Sequence, residues 1–145
     1  MPLAQTPGED DIIARLRTIP GVDVMEGEYT PDGYVPPVDS AGLFKPYILV
    51  RFDAPQTGYD PGIADPSWDT QRASLVTYIV SPDDRVTRQI RDQVREKLLI
   101  NFRPTDGGFL RPKSGFNFVD PDLGYHRYVQ AIGFTYNFNL SPDSV

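Results

Sequence analysis

The chain has 145 residues, no cysteine and a formal net charge of −6. That length points to one domain, residues 1–145, able to bury about two-thirds of its unfolded surface. The acid excess excludes a generic nucleic-acid binder, which needs a basic footprint, and the missing thiols exclude disulfides and thiolate chemistry, a composition that fits a reducing cytoplasm.

No apolar run approaches the roughly 18 residues of a membrane-spanning helix, so no membrane partner is expected. The opening MPLAQTPGEDD lacks both the basic and the apolar region of a secretory signal. Charge is uneven along the chain. Residues 1–70 carry twelve acids and four bases, and residues 71–145 carry eight acids and ten bases. Two readings stay open: chance distribution over a solvated surface, or an acidic face of one copy meeting a basic face of the next.

Thr6-Pro7-Gly8-Glu9 has capping-box spacing with proline at the first helical position. Ile12, Ile13, Leu16 and Ile19 follow at helical spacing, and Pro20-Gly21 stops the run, so the pattern predicts a helix over 7–18. VDVMEGEY (22–29) reads as a short, fairly polar strand, followed by a proline-rich arm over about 30–45. PYILVRFD (46–53) is a strong strand, and a second long loop follows over 54–72. ASLVTYIVS (73–81) is apolar on both faces, as expected of a strand central in a sheet.

Ser81-Pro82-Asp83-Asp84 reads as a helix start, with Ser81 as the cap. Val86, Ile90, Val94 and Leu98 form the stripe of a helix over 82–100. Pro104 and Gly107-Gly108 close it, and 102–125 reads as a third long loop with a short strand near 115–119 and a turn at Asp120–Gly124. Tyr125–Leu140 then alternates strictly, with Tyr128, Gln130, Ile132, Phe134, Tyr136, Phe138 and Leu140 on one face. At ~3.3 Å per residue such a strand reaches roughly 50 Å, beyond the ~38 Å diameter of a compact chain this size. The expectation is that it overhangs as an edge and pairs with a neighbour's sheet, with Gly133 as the bend. The order α-β-β-β-α-β-β implies an α+β fold with two helices against one mostly antiparallel sheet.

Catalytic constellations are missing from the pattern. His126 is the lone imidazole and reads as a surface residue. Asp120 and Asp122 lack the further oxygen ligands of a calcium loop, and Asp60, Asp65 and Asp69 sit where aspartate forms turns, leaving weak calcium binding as a minor reading. No nucleophile elbow, phosphate-binding loop or dinucleotide fingerprint occurs, so neither an enzyme nor a cofactor is expected. Asn139-Leu140-Ser141 matches a glycosylation acceptor without a secretory context.

What stands out instead is apolar surface in long loops: Tyr34, Val35, Leu43, Phe44, Tyr59, Ile63, Trp68 and Phe109. Some will cover the domain's own core, and the others suit ordering against another chain. Arg85, Arg88, Arg91 and Arg95 line one side of the second helix, laced with Asp84, Asp92 and Glu96, a solvated or inter-subunit face more than a DNA reader.

IIARLRTIPGVDVMEGEYTPDG with PYILVRF, SLVTYIVSPDDRVTRQIRDQVREKLL, and RYVQAIGFTYNFNL together resemble tail terminator proteins of long-tailed (siphovirus-type) bacteriophages over roughly Ile12 to Leu140. The eleven arginines against three lysines point to a high-GC source such as an actinobacteriophage. The resemblance implies a homo-hexameric ring at the head-proximal end of the virion tail, assembled in the host cytoplasm. Such a ring caps the tail tube protein, stops its polymerisation and offers a joining surface to the head-completion or connector protein. DNA passes through its lumen without specific binding. The subunit and partner contacts expected on this reading are Arg88, Arg91, Arg95, Tyr34, Phe44, Tyr59, Trp68, Tyr128 and Gly133, with Glu26, Glu28 and Asp53 facing the lumen. The alternatives are a head–tail connector or stopper, a tube-like tail protein, or a small monomeric binding module.

Overall fold

The computed structural model describes residues 7–27, 35–53, 56–57, 70–105, 107–122 and 127–139. Its elements run α1 (Pro7–Leu16), β1 (Asp23–Glu26), β2 (Tyr47–Phe52), β3 (Gln56–Thr57), β4 (Thr70–Ser81), α2 (Asp84–Leu99), β5 (Arg111–Asp122) and β6 (Arg127–Asn139). The α+β expectation holds, with the two-residue β3 as an addition. One sheet has the order β1-β2-β4-β6-β5, with β3 paired to β4 beside that path. Every pairing is antiparallel except β1 with β2, where Asp23–Glu26 run alongside Tyr47–Val50.

That one parallel pair explains much of the first long arm. Parallel neighbours cannot be joined by a tight turn, because the chain must first return to the starting end of the sheet. The chain makes that return between the end of β1 at Glu26 and the start of β2 at Tyr47.

Both helices lie on one face of the sheet. Ile12, Ile13, Leu16 and Ile19 from the α1 region and Ile90, Val94 and Leu98 from α2 are buried against Val24, Ile48, Val50, Leu75, Ile79, Ile132, Phe134 and Tyr136. Alternate residues of β2 and β4 point the other way. There Tyr47, Leu49 and Val80 form a smaller buried cluster with Met25, Phe44, Tyr78 and Val129 against it. Two-sided burial is why β2 and β4 read as apolar on both faces, and β4 is indeed the middle strand.

α1 stops at Leu16 instead of 18, with Thr18 donating to the Arg15 carbonyl at 2.6 Å and Gly21 at φ 74° completing the stop. The proposed Thr6 cap lies outside the described residues. α2 starts later than its sequence signal. Asp83, not Ser81, is the N-cap, and its carboxylate accepts from the Arg85 N–H at 2.7 Å. Ser81 cannot serve because it is still in the sheet, opposite Tyr128. Its hydroxyl instead accepts from the Asp83 N–H at 3.1 Å and lies 2.6 Å from the Thr87 hydroxyl. Thr87 therefore takes the buried position on α2, and Val86 is only half-buried. Asp83→Ala should lower the unfolding free energy by about 1 kcal/mol, read as a shift in denaturant midpoint. Asp83→Asn, which keeps the accepting oxygen, should recover most of it.

The end of α2 is tied to α1. Arg15 Nε donates to the Lys97 carbonyl at 3.0 Å, and its guanidinium lies 5.7 Å from the Phe102 ring centroid. Asp11 accepts from both the backbone N–H and the hydroxyl of Thr105. α2 itself ends at Leu99, with Ile100 as C-cap and Asn101 at φ 52°. Asparagine tolerates that left-handed conformation better than most residues.

The two largest corrections concern the last third of the chain. The stretch 102–125 is not mostly loop, because β5 occupies twelve of its residues, against the five expected near 115–119. Asp120, Pro121 and Asp122 belong to this strand, opposite Val129, Tyr128 and Arg127, so they do not form the turn. Nor is the final strand an edge. β6 is interior: Tyr128–Asn139 pair with Ser81–Thr70 of β4 throughout, and its other side pairs with β5. An overlong strand needs no neighbouring molecule when two equally long strands of its own chain flank it. Gly133 therefore marks no bend between sheets. It sits mid-ladder opposite Val76, buried.

Candidate assembly surfaces

β5 is the outer strand on its side of the sheet, and β1 is the outer strand on the other. Pro112 and Pro121 fit that position, since proline lacks a ladder donor and is tolerated on edges. β5 also breaks register. Pro112 lies opposite Phe134, and Asn117 lies opposite Ile132, so the segment between them bulges from the ladder. Bulges of this kind twist an edge and restrain uncontrolled pairing.

A second surface is the turn within residues 35–46. Val38 bridges Phe44 in antiparallel fashion, and the Lys45 N–H donates to the Pro37 carbonyl at 2.7 Å. Asp39 locks the tip: its Oδ1 accepts from the N–H groups of Ala41 and Leu43, both at 2.9 Å. Gly42 supplies the positive φ of 81° that the turn requires. At the base, Lys45 pairs with Asp23 of β1 at 2.8 Å. The turn is thus held at both ends, yet it presents apolar surface. Val35, Val38 and Leu43 are 76%, 60% and 48% exposed. A recess of about 340 Å³ is lined by Val38 and Leu43 together with Phe44 and Pro46.

α2 supplies the third surface. Arg85, Arg88 and Arg95 are exposed. Arg88 pairs with Asp84 one turn back at 3.4 Å. Arg91 differs, being half-buried, with Nη1 donating to the Gln130 side chain of β6 at 3.1 Å and Nη2 3.2 Å from Asp92. It therefore braces helix to sheet. Arg85 and Arg95 make no ion pair among the described residues. Near the helix end, Asp92, Arg95, Glu96, Leu99 and Ile100 outline a recess of about 390 Å³.

The residues singled out from the sequence do not converge on one site. Phe44 is half-buried, with its ring 6.1 Å from that of Tyr47, so it supports the turn from below. Tyr128 is half-buried at one end of β6. Glu26 is exposed at the end of β1, while Asp53 is half-buried with its carboxylate 3.3 Å from Arg51. Tyr34, Tyr59, Trp68, Glu28, His126, Asp60, Asp65 and Asp69 lie outside the described residues. Val38 and Ile100 were missed as surface features. Val38 stands beside a Pro-Pro pair and reads as loop filler, and Ile100 continues the apolar end of a helix and reads as core.

Among the described residues, no three His, Cys, Asp or Glu side chains gather as a metal site, and no helix is long and apolar enough to cross a membrane.

No family model and no curated protein matches the chain. The fold does have a counterpart among solved structures. A chain from the virion of a native gene transfer agent particle superposes with a TM-score of 0.50 at 12% identity, covering 89% of this chain and 84% of that one. At that identity the likeness establishes a shared architecture spanning nearly the whole length of both chains.

Proposed function

We propose that this chain is a structural protein of a bacteriophage-type virion, and within that class a tail-terminator-like subunit. It would close into a homo-hexameric ring at the head-proximal end of the tail tube. The observation that carries the reading is the shared fold with a virion chain over almost the full length of both molecules. The sequence resemblance to tail terminators narrows the role.

The mechanism is geometric, not catalytic. Identical subunits that contact one another head-to-tail close into a ring when the rotation per contact divides a full turn. One ring face then fits the last layer of tube protein, and the other receives the head-completion or connector protein. In this reading the exposed Arg88 and Arg95, with Tyr34, Tyr59 and Trp68, serve contacts between chains. Arg91 acts indirectly, by bracing α2 against β6, and Gly133, buried mid-ladder, takes no part. Glu26 and Glu28 are the better lumen acids, where negative charge lets DNA pass without adhering. Asp53 contributes less, because Arg51 offsets it.

Native mass spectrometry over a concentration series, with and without tube protein, tests the proposal. The expected result is a monomer converting to a closed hexamer as concentration rises or tube protein is added. Open-ended cylinders from the purified chain alone would identify a tube protein instead. A monomer under every condition would overturn the ring and favour a monomeric binding module.

A further inference from the structure

We infer that the turn at 35–46 of one copy seats on the C-terminal end of α2 of the next copy, forming the repeating contact of the assembly. The inference rests on the ring reading and adds which surfaces meet.

The turn is built as a knob. Its backbone is fixed by Asp39, Gly42 and the Lys45–Asp23 pair, so little conformational entropy is left to lose on docking. It nevertheless leaves Val38 and Leu43 exposed, both lining one recess. Loops ordinarily carry polar residues at such tips, and apolar ones on a rigid turn mark a contact surface.

The end of α2 is built as the matching recess. Ile100, the helix C-cap, is 55% exposed and lies beside Leu99 in the hollow lined also by Asp92, Arg95 and Glu96, with Asp92 held by Arg91 at 3.2 Å. Charge orients the fit. Asp39 uses only Oδ1 to hold the turn, and no other partner approaches it among the described residues. Arg95 is likewise without an ion pair among the described residues. Bringing Leu43 against Ile100 places Asp39, whose Oδ2 is left open by the turn, near the Arg95 guanidinium at the rim, where a charge-assisted hydrogen bond can form.

Topology excludes docking within one molecule. The turn rests on the sheet face that holds Tyr47, Leu49 and Val80, whereas α2 covers the opposite face. A single molecule cannot bring its own knob to its own recess. Each copy therefore offers one unfilled half of the contact on each side, as a head-to-tail ring requires.

Because the chain has no cysteine, single cysteines report the contact directly. Leu43→Cys and Ile100→Cys proteins are mixed under mild oxidation, at concentrations where native mass spectrometry detects oligomers. The mixture should yield disulfide-linked dimers at least about tenfold faster than either variant alone. Oligomers that persist without this selective cross-link, or with equal cross-linking of one variant to itself, would overturn the contact and leave the ring standing. A chain that never oligomerises would overturn both. As a second measure, Leu43→Glu should raise the concentration needed for assembly by about tenfold or more. At concentrations where the chain is monomeric its melting temperature should not change, because Leu43 is substantially exposed. Adding Ile100→Lys to the same chain should recover part of the loss. Unchanged assembly in Leu43→Glu would sink the contact.

Discussion

Phe134→Ala is expected to lower the free energy of unfolding by about 3–5 kcal/mol. Phe134 is fully buried on β6, on the face that meets the helices, directly opposite Leu75 of β4, which is also fully buried. It has interior strands on one side and β5 on the other, where Pro112 stands opposite. A ladder continuous through Thr70–Ser81 and Tyr128–Asn139 cannot close inward around a missing ring, so the vacated volume persists as a cavity. Domains of this kind are stable by only about 5–15 kcal/mol in total, so the variant should sit close to unfolding at 37 °C. Urea melts that keep the m-value and shift the midpoint are the measurement. Phe109→Ala, 64% exposed in the parent, serves as the control and should stay within about 0.5 kcal/mol of it. A change below ~1 kcal/mol for Phe134→Ala would mean that the ring does not fill the core.

Gly107→Ala is expected to cost about 1–3 kcal/mol, while Gly108→Ala, one residue on, should be neutral or slightly stabilising. A methyl group on Gly107 would lie 2.7 Å from the Asn137 carbonyl oxygen and 2.8 Å from Cδ2 of the Tyr136 ring. Neither can yield cheaply. The carbonyl belongs to β6 and accepts from the Gly108 N–H at 2.8 Å, and the Tyr136 ring is buried in the core. The segment after α2 would have to lift away from β6, straining that hydrogen bond, which itself contributes on the order of 1 kcal/mol. At Gly108 the nearest atom to an added methyl is 3.7 Å away, an ordinary contact, and alanine reduces the entropy of the unfolded chain. Thermal or chemical melts of the pair decide the matter. Equal effects at both positions would mean that the approach of 107 to β6 does not govern stability.

Gly107 also shows where local reading runs short. Beside Pro104, the Gly107-Gly108 pair reads as a helix stop. α2 has already ended at Leu99, and the glycine is needed for close packing against a strand some thirty positions further along. The same distance in sequence hid the docking knob. Val35 and Leu43 were legible as apolar residues in a loop, but their exposure depended on whether the loop folded back on the core. Phe44 did fold back, and its neighbours did not. For α2, the i+4 stripe located the helix correctly, and the arginines were legible as its outer side. Only the packing against β6 separated Arg91, which braces Gln130, from Arg95, which faces solvent.

The amino-acid pattern by itself determined both helices, the strands around 46–53, 73–81 and 125–140, and the class of fold, because hydrophobic periodicity and capping are properties of a few neighbouring residues. Strand order was decided only by the tertiary structure. A segment holding two prolines, a glycine and a bulge has little strand signal of its own, yet it becomes β5 because β6 offers a complete row of main-chain partners and an outer strand can spare the missing donors. With β5 in place, the long final strand is interior. The surfaces left for other molecules are then the turn at 35–46, the end of α2 and the bulged edge.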